Sequence, residues 1–148
     1  MTLPSLDPSR LFDVRGKSAL VIGATGAFGK VACATLGRAG ARITAAAGNA
    51  VDLATLAQEL TEAGIEARTV NRRPATEADA QLLVDSAVET FGCLDILVVA
   101  SGMNDVALID QLTPERFEAV MAANVTGAWL GARAAGRQMI AQGRGGKV

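Results

Sequence analysis

The sequence predicts a doubly wound α/β fold, a parallel sheet with helices on both faces. Three observations predict it. Short apolar runs alternate with stretches of helical periodicity along the chain. A glycine cluster, Gly23 to Gly29, stands between the first apolar run and the first helical stretch. The run from Asp95 to Ala100 is apolar from Ile96 onward, as a parallel strand covered on both faces should be. Alternation of this kind joins parallel strands through crossover helices.

The elements follow in order. Thr2 to Arg15 holds Pro4, Pro8 and scattered polar residues, so residues 1–16 read as an irregular lead-in. Lys17 to Ile22 is a buried strand that ends at the glycine cluster, and a helix follows from Gly26 to Gly37. Arg42 to Ala47 is a second strand, weakened by its alanines. Leu53, Leu56, Ala57, Leu60 and Ala63 share a helical face, and Gly64 stops that helix. Glu66 to Asn71 is a short third strand. Thr76 caps the next helix with Asp79 three residues on; its stripe is Ala80, Leu83, Val84, Ala87, Val88 and Phe91, and Gly92 ends it. Asp95 to Ala100 is the fourth strand. Thr113 and Pro114 open the last helix, with proline at its first position. Phe117, Val120, Met121, Asn124, Ala128, Ala132 and Ala135 mark one face of it. Arg144 to Val148 resembles the turn into a fifth strand, where the chain stops; the expectation is a fragment.

Composition narrows the function classes. Apolar residues make up 50% of the 148 and charged residues 20%, a globular balance. A formal charge of −1 disfavours a nucleic-acid partner. The uncharged run Ala119 to Ala132 is too short for a bilayer, and Met1 to Arg10 has no apolar core, so a cytoplasmic protein without membrane contact is expected. The chain has neither His nor Tyr, which excludes a histidine base, a histidine metal ligand or a tyrosine acid supplied by these residues. Cys33 and Cys93 have no metal spacing and read as packing residues, and no metal site is expected.

The polar and glycine positions carry the functional signal. Gly23, Gly26 and Gly29, between strand and helix, permit a tight turn and let backbone N–H groups approach a pyrophosphate. The common dinucleotide fingerprint would need glycine where Ala24 stands. A P-loop is refused because Gly23 and Gly29 are one residue too far apart and Val31 follows Lys30. The second strand ends in Ala47, Gly48 and Asn49, without the acid that takes a ribose 2′-hydroxyl or the arginine that takes a 2′-phosphate. NAD and NADP therefore stay unresolved. Arg72 and Arg73 follow the third strand, near where an adenine would lie, and the simpler reading is a solvated pair. Asn124 shares a stripe with apolar residues, so the helix buries it or aims it at a cavity, either as a satisfied core amide or as a functional one. Trp129 reads as filling a helix interface.

From Leu11 to Val148 the chain resembles the N-terminal part of the short-chain dehydrogenase/reductase family, chiefly its compact, single-domain branch. The compact branch carries Thr-Gly-x-x-x-Gly-x-Gly; here Ile22 and Gly23 open that register, Ala27 replaces its middle glycine and Gly29 closes it. The extended branch's Gly-x-x-Gly-x-x-Gly is met by Gly23, Gly26 and Gly29. Phe91, Gly92 and Leu94 to Val98 match the compact branch's approach to the fourth strand. Its Asn-Asn-Ala-Gly becomes Val99, Ala100, Ser101 and Gly102, with only the last kept. Asn124 to Gly127 matches the catalytic asparagine segment, and Gly145 to Val148 matches the entry to the strand that leads to the catalytic serine. The family's adenine-contacting Asp aligns with Arg73, followed by Pro74.

The resemblance implies a Rossmann-like NAD(P)-binding domain over residues 17–148, incomplete at the fifth strand, with strands ordered 3-2-1-4-5. It implies hydride transfer between a nicotinamide cofactor, NAD or NADP, and a small alcohol or ketone. Asn124 takes the role of the asparagine that helps hold a water in a proton relay. Gly23, Thr25, Gly26, Phe28 and Gly29 line the pyrophosphate and ribose, Gly48, Arg73 and Pro74 the adenosine, and Ala100, Ser101 and Gly102 the nicotinamide ribose. The family's Ser, Tyr and Lys lie beyond Val148, so these residues alone are expected to be inactive, with a parent that forms homo-oligomers. The alternatives are a non-catalytic dinucleotide-binding module and a methyltransferase-like domain. Without a fifth strand, Asp95 to Ala100 is expected at an aggregation-prone edge.

Overall fold

The computed structural model describes residues 12–148; of the lead-in, positions 1–11 lie outside the described residues. Residues 12–17 are irregular, so the first strand starts at Ser18, one residue after the expected Lys17. Strand β1 (Ser18–Ile22) is followed by helix α1 (Ala27–Arg38), β2 (Arg42–Ala47), α2 (Ala50–Glu62), β3 (Ala67–Asn71), α3 (Glu77–Phe91) and β4 (Ile96–Val99). The last helical stretch has three parts: α4 (Pro114–Met121), a π-helical segment (Ala122–Thr126) and α5 (Gly127–Ala141). All strands are parallel, in the order β3-β2-β1-β4.

Burial explains why the strands form where they do. Every residue of β1 is buried, because helices cover both faces of the central strand. Leu20 and Ile22 face one apolar layer with Leu83, Val84, Leu94 and Leu130. Ala19 and Val21 face the other with Cys33, Ile43, Leu53, Leu56 and Leu60. A fully buried Leu or Ile contributes roughly 1.5–3 kcal/mol to stability. The alanines of β2 are tolerated because neighbouring strands and helices supply the bulk: Ala45 and Ala46 are buried within these layers.

The helix ends follow local chemistry. Thr76 Oγ1 accepts from the Asp79 N–H while Asp79 Oδ2 accepts from the Thr76 N–H, so the expected capping box is present. Gly92 then stops α3 in a left-handed conformation (φ +79°). Helix α2 starts at Ala50, ahead of its first apolar stripe residue, because Asn49 caps it by accepting from the Val51 and Asp52 N–H groups.

Strand β4 lies at the sheet edge, as expected without a fifth strand; Leu97 is buried, and Ile96, Val98 and Val99 are half-buried against the two apolar layers. Its outer side meets Lys147, whose carbonyl accepts from the Leu97 N–H at 2.8 Å and whose N–H donates to the Asp95 carbonyl at 2.9 Å. Two expectations are corrected. The stripe from Phe117 to Ala135 is not one face. The π segment inserts a wider turn, so the buried face beyond it runs through Gly127, Leu130, Gly131, Ala134, Ala135 and Met139, while Phe117 and Met121 are exposed. Trp129 does not fill a helix interface within the chain; it is 55% exposed, with the Arg133 guanidinium 5.2 Å from its ring centre. Among the described residues, no helix is long and apolar enough to cross a membrane.

Candidate functional site

The carboxyl ends of β1, β2 and β4 open toward the same end of the sheet, where a doubly wound fold places its ligands. At the end of β1 the chain turns sharply through Gly23, whose φ of +84° suits glycine. The Gly23 and Ala24 N–H groups both donate to the Ala46 carbonyl, at 2.8 and 3.0 Å, which ties the turn to β2. Gly29 packs under this turn: a β-carbon there would stand 2.8 Å from Ala24 Cα and closer still to the Gly23 carbonyl oxygen. A β-carbon on Gly23 would stand 2.6 Å from Ser101 Cα and 2.7 Å from the Ala100 carbonyl carbon. The glycine turn and the loop after β4 are therefore in direct backbone contact.

Gly26 differs from both. It caps α1 with an ordinary extended backbone (φ −69°, ψ 161°), and a β-carbon there would meet only the Gly23 carbonyl oxygen, at 3.4 Å. Neither conformation nor internal packing demands glycine at this position. Among the described residues no side chain caps α1, and its first turn has no acid, so the positive end of the helix is left open to a ligand. Phe28 stands beside it in the first turn of α1, 68% exposed, and Thr25 is half-buried.

The other candidates fall into two groups. Gly48 and Arg73 touch: the Arg73 side chain lies against the Gly48 Cα, and Pro74 beside it is buried. The expected pair of solvated arginines is thus divided, with Arg72 in an ion pair with Asp79 at 3.4 Å and Arg73 laid over the end of β2. Ala100, Ser101, Gly102 and Asn124 line an open cleft of ≈ 420 Å³. A second cleft, ≈ 270 Å³ between α3 and α5, contains none of the residues singled out in the sequence.

Asn124 is not buried; of the two readings, core amide or residue aimed at a cavity, the second holds, since it lines the cleft. It lies in the π segment, where the Gly127 N–H reaches back to the Ala122 carbonyl and the helix widens. Its side chain spans to the loop after β4: Oδ1 accepts from the Met103 N–H at 2.8 Å and Nδ2 donates to the Met103 carbonyl at 2.9 Å. Both ends of the amide are thereby used, and the helix is clamped to the cleft wall. A second clamp joins Arg116 to Asp105, with Nε donating to Oδ2 at 2.7 Å. The guanidinium holds the Asp105 carboxyl below its ordinary pKa, chiefly through that hydrogen bond. Sequence reasoning missed Met103, Asp105 and Arg116, because a backbone partner leaves no signature and one Arg–Asp pair among many has no distinctive spacing. Burial pushes the Cys33 thiol up to about 12, consistent with its reading as a packing residue. Among the described residues, no group of three or more His, Cys, Asp or Glu is placed to hold a metal.

This geometry has close relatives. The family model for short chain dehydrogenases matches residues 17–148. An uncharacterized oxidoreductase of Mycobacterium tuberculosis is 50% identical over 147 residues, which is 99% of this chain and 53% of that protein. A 3beta-hydroxysteroid dehydrogenase of Eggerthella lenta is 34% identical over 134 residues, 90% of this chain and 52% of that protein. The crystal structure of a short-chain type dehydrogenase/reductase from Mycobacterium marinum superposes with a TM-score of 0.90 at 31% identity, covering 95% of this chain and 57% of that one. The chain spans about half the length of the curated relatives it matches. With the parallel sheet, the glycine turn and the asparagine-bearing helix in place, these matches mean that the chain belongs to the short-chain dehydrogenase/reductase family.

Proposed function

We propose that residues 17–148 form the cofactor-binding part of an NAD(P)-dependent oxidoreductase acting on a small alcohol or ketone. The observation that carries the reading is Gly26. It is a glycine that neither its own backbone angles nor its neighbours require, at the uncapped positive end of α1. An anion seated there explains the missing side chain and the missing cap together. The residues fit the pyrophosphate of a dinucleotide: Gly23, Thr25, Gly26, Phe28 and Gly29 would surround it, Gly48, Arg73 and Pro74 would meet the adenosine, and Ala100, Ser101 and Gly102 would pass under the nicotinamide ribose.

When bound, a nicotinamide dinucleotide accepts or donates the hydride. The chain's own part is to bind, orient and hold water. Asn124 is the catalytic residue of this half. Met103 engages one N–H and one lone pair of its amide; the remaining amide capacity and the backbone of the widened helical turn are what it can offer a water in a proton relay. No residue of the chain supplies a tyrosine acid, so these residues are expected not to complete turnover unaided. Homologues named for hydroxysteroid and sorbitol oxidation support an alcohol as substrate. The whole protein is proposed to act as a cytoplasmic homo-oligomer.

The test is Gly26→Glu. Its side chain has room, so the melting temperature should stay within a degree or two of the parent chain. Its carboxylate at the positive end of α1 repels phosphate, so calorimetric binding of NAD(P) should be lost. Unchanged dinucleotide binding by this variant contradicts the proposal.

A further inference from the structure

We infer that Arg73 makes this site select a nucleotide that bears a 2′-phosphate on its adenosine ribose. The inference rests on the dinucleotide reading above and adds the identity of the cofactor. In doubly wound folds the end of the second strand reads that ribose: a carboxylate takes the hydroxyls, and an arginine nearby accepts a phosphate. Here that position is Gly48, which offers no side chain.

The space is filled from the neighbouring strand. A β-carbon built on Gly48 would stand 2.9 Å from both Cδ and Cζ of Arg73, and closer still to its Nε. The guanidinium thus lies against the end of β2, although its backbone belongs to the turn after β3. The sheet register accounts for this. Ala47 pairs with Asn71, and Asn71 Nδ2 donates to the Ala47 carbonyl at 2.9 Å, so the two chains leave the sheet side by side. The turn holding Arg73 is closed by the Ala75 N–H donating to the Arg73 carbonyl at 2.9 Å, and buried Pro74 anchors it.

Among the described residues no group answers that guanidinium. Among the described residues Arg73 makes no hydrogen bond or ion pair, whereas Arg72 beside it is paired with Asp79. The polar groups next to Gly48 are occupied: Asn49 Oδ1 caps α2, and Asn49 Nδ2 donates to the Asp52 carboxylate at 2.7 Å. What remains at the strand end is an exposed, unpaired, forked cation, the geometry that binds phosphate in two-pronged fashion. A Gly48 with any side chain would push Arg73 away, so the glycine and the arginine act as one device.

The experiment is isothermal titration calorimetry of the chain with adenosine 2′,5′-bisphosphate and with adenosine 5′-monophosphate. The bisphosphate should bind at least about tenfold tighter. Arg73→Ala should bring the two ligands to similar affinity. Arg73→Lys, which keeps stem and charge but not the fork, should retain part of the preference. Adding Gly48→Arg to Arg73→Ala should restore it from the other strand. Equal binding of both ligands by the unaltered chain overturns the inference and leaves the dinucleotide reading standing. A preference that survives Arg73→Ala overturns the role of Arg73. Binding of neither ligand overturns the inference together with the reading on which it rests.

Discussion

Gly23 and Ser101 meet backbone to backbone: a β-carbon on Gly23 would stand 2.6 Å from Ser101 Cα. The contact joins the turn after β1 to the loop after β4, the two segments proposed to hold opposite halves of one dinucleotide. Neither side can retreat, because Gly23 is held by its N–H bond to Ala46 and the Ala100 N–H is bonded to the Ile22 carbonyl at 2.8 Å.

Gly23→Ala is therefore expected to be among the costlier single-methyl additions in the chain. It combines a φ of +84° with a clash against immovable backbone. Urea denaturation should show a loss of about 2–3 kcal/mol. Gly64→Ala is the control: its φ is also positive, but a β-carbon there meets nothing within 4 Å, so only the conformational strain of about 1 kcal/mol is expected.

Asp95 sets an acid limit on stability. Burial alone would push its carboxyl pKa up, but the Ser18 N–H at 3.0 Å, the Cys93 thiol at 3.4 Å and the cations Lys17 and Arg144 together hold it below its ordinary value. A carboxyl whose pKa is depressed on folding contributes stability that is fully present above the unfolded pKa, about 3.9, and is lost as pH falls through the lower folded value. The urea midpoint should therefore drop on going from about pH 6 to about pH 3. Asp95→Asn should reduce stability at neutral pH by about 1.5–3 kcal/mol and flatten part of that drop. A slope unchanged in Asp95→Asn assigns the acid sensitivity to other carboxylates.

Asn124→Ala removes both bonds to Met103. Stability should fall by about 1 kcal/mol, because the site is exposed and water replaces part of the loss. The more specific readout is hydrogen exchange: the Met103 amide should lose protection while the amides of β1 keep theirs. Equal protection of Met103 in variant and parent chain would show that the clamp does not hold the loop.

Much of this was legible in the residues themselves. Thr76 and Asp79 announce their capping box, and the spacing of Leu83, Val84 and Ala87 gives the buried face of α3, because both depend only on near neighbours along the chain. Strand β2 was readable despite its alanines. The last helix was not read correctly beyond Met121, since a π turn shifts the apolar face without changing composition. The edge position of β4 was legible, because a 3-2-1-4-5 order without its fifth strand leaves that strand outermost. The site was legible where backbone geometry dictates a residue type, as at Gly23 and Gly29. It was illegible where two distant segments meet. Nothing near Gly48 in the sequence says that Arg73 fills the space above it, and nothing near Asn124 says that Met103 will use its amide.

The central claim is that the strand ends around Gly26 hold a dinucleotide. An amide-resolved NMR titration with NADP tests it most directly. Saturable shifts are expected at Ala24 to Gly29, at Gly48 and Arg73, and at Ala100 to Gly102, with the amides between α3 and α5 unmoved. Absence of shifts at the first turn of α1, or shifts confined to the cleft lined by Glu77, Gln81 and Arg133, would contradict it.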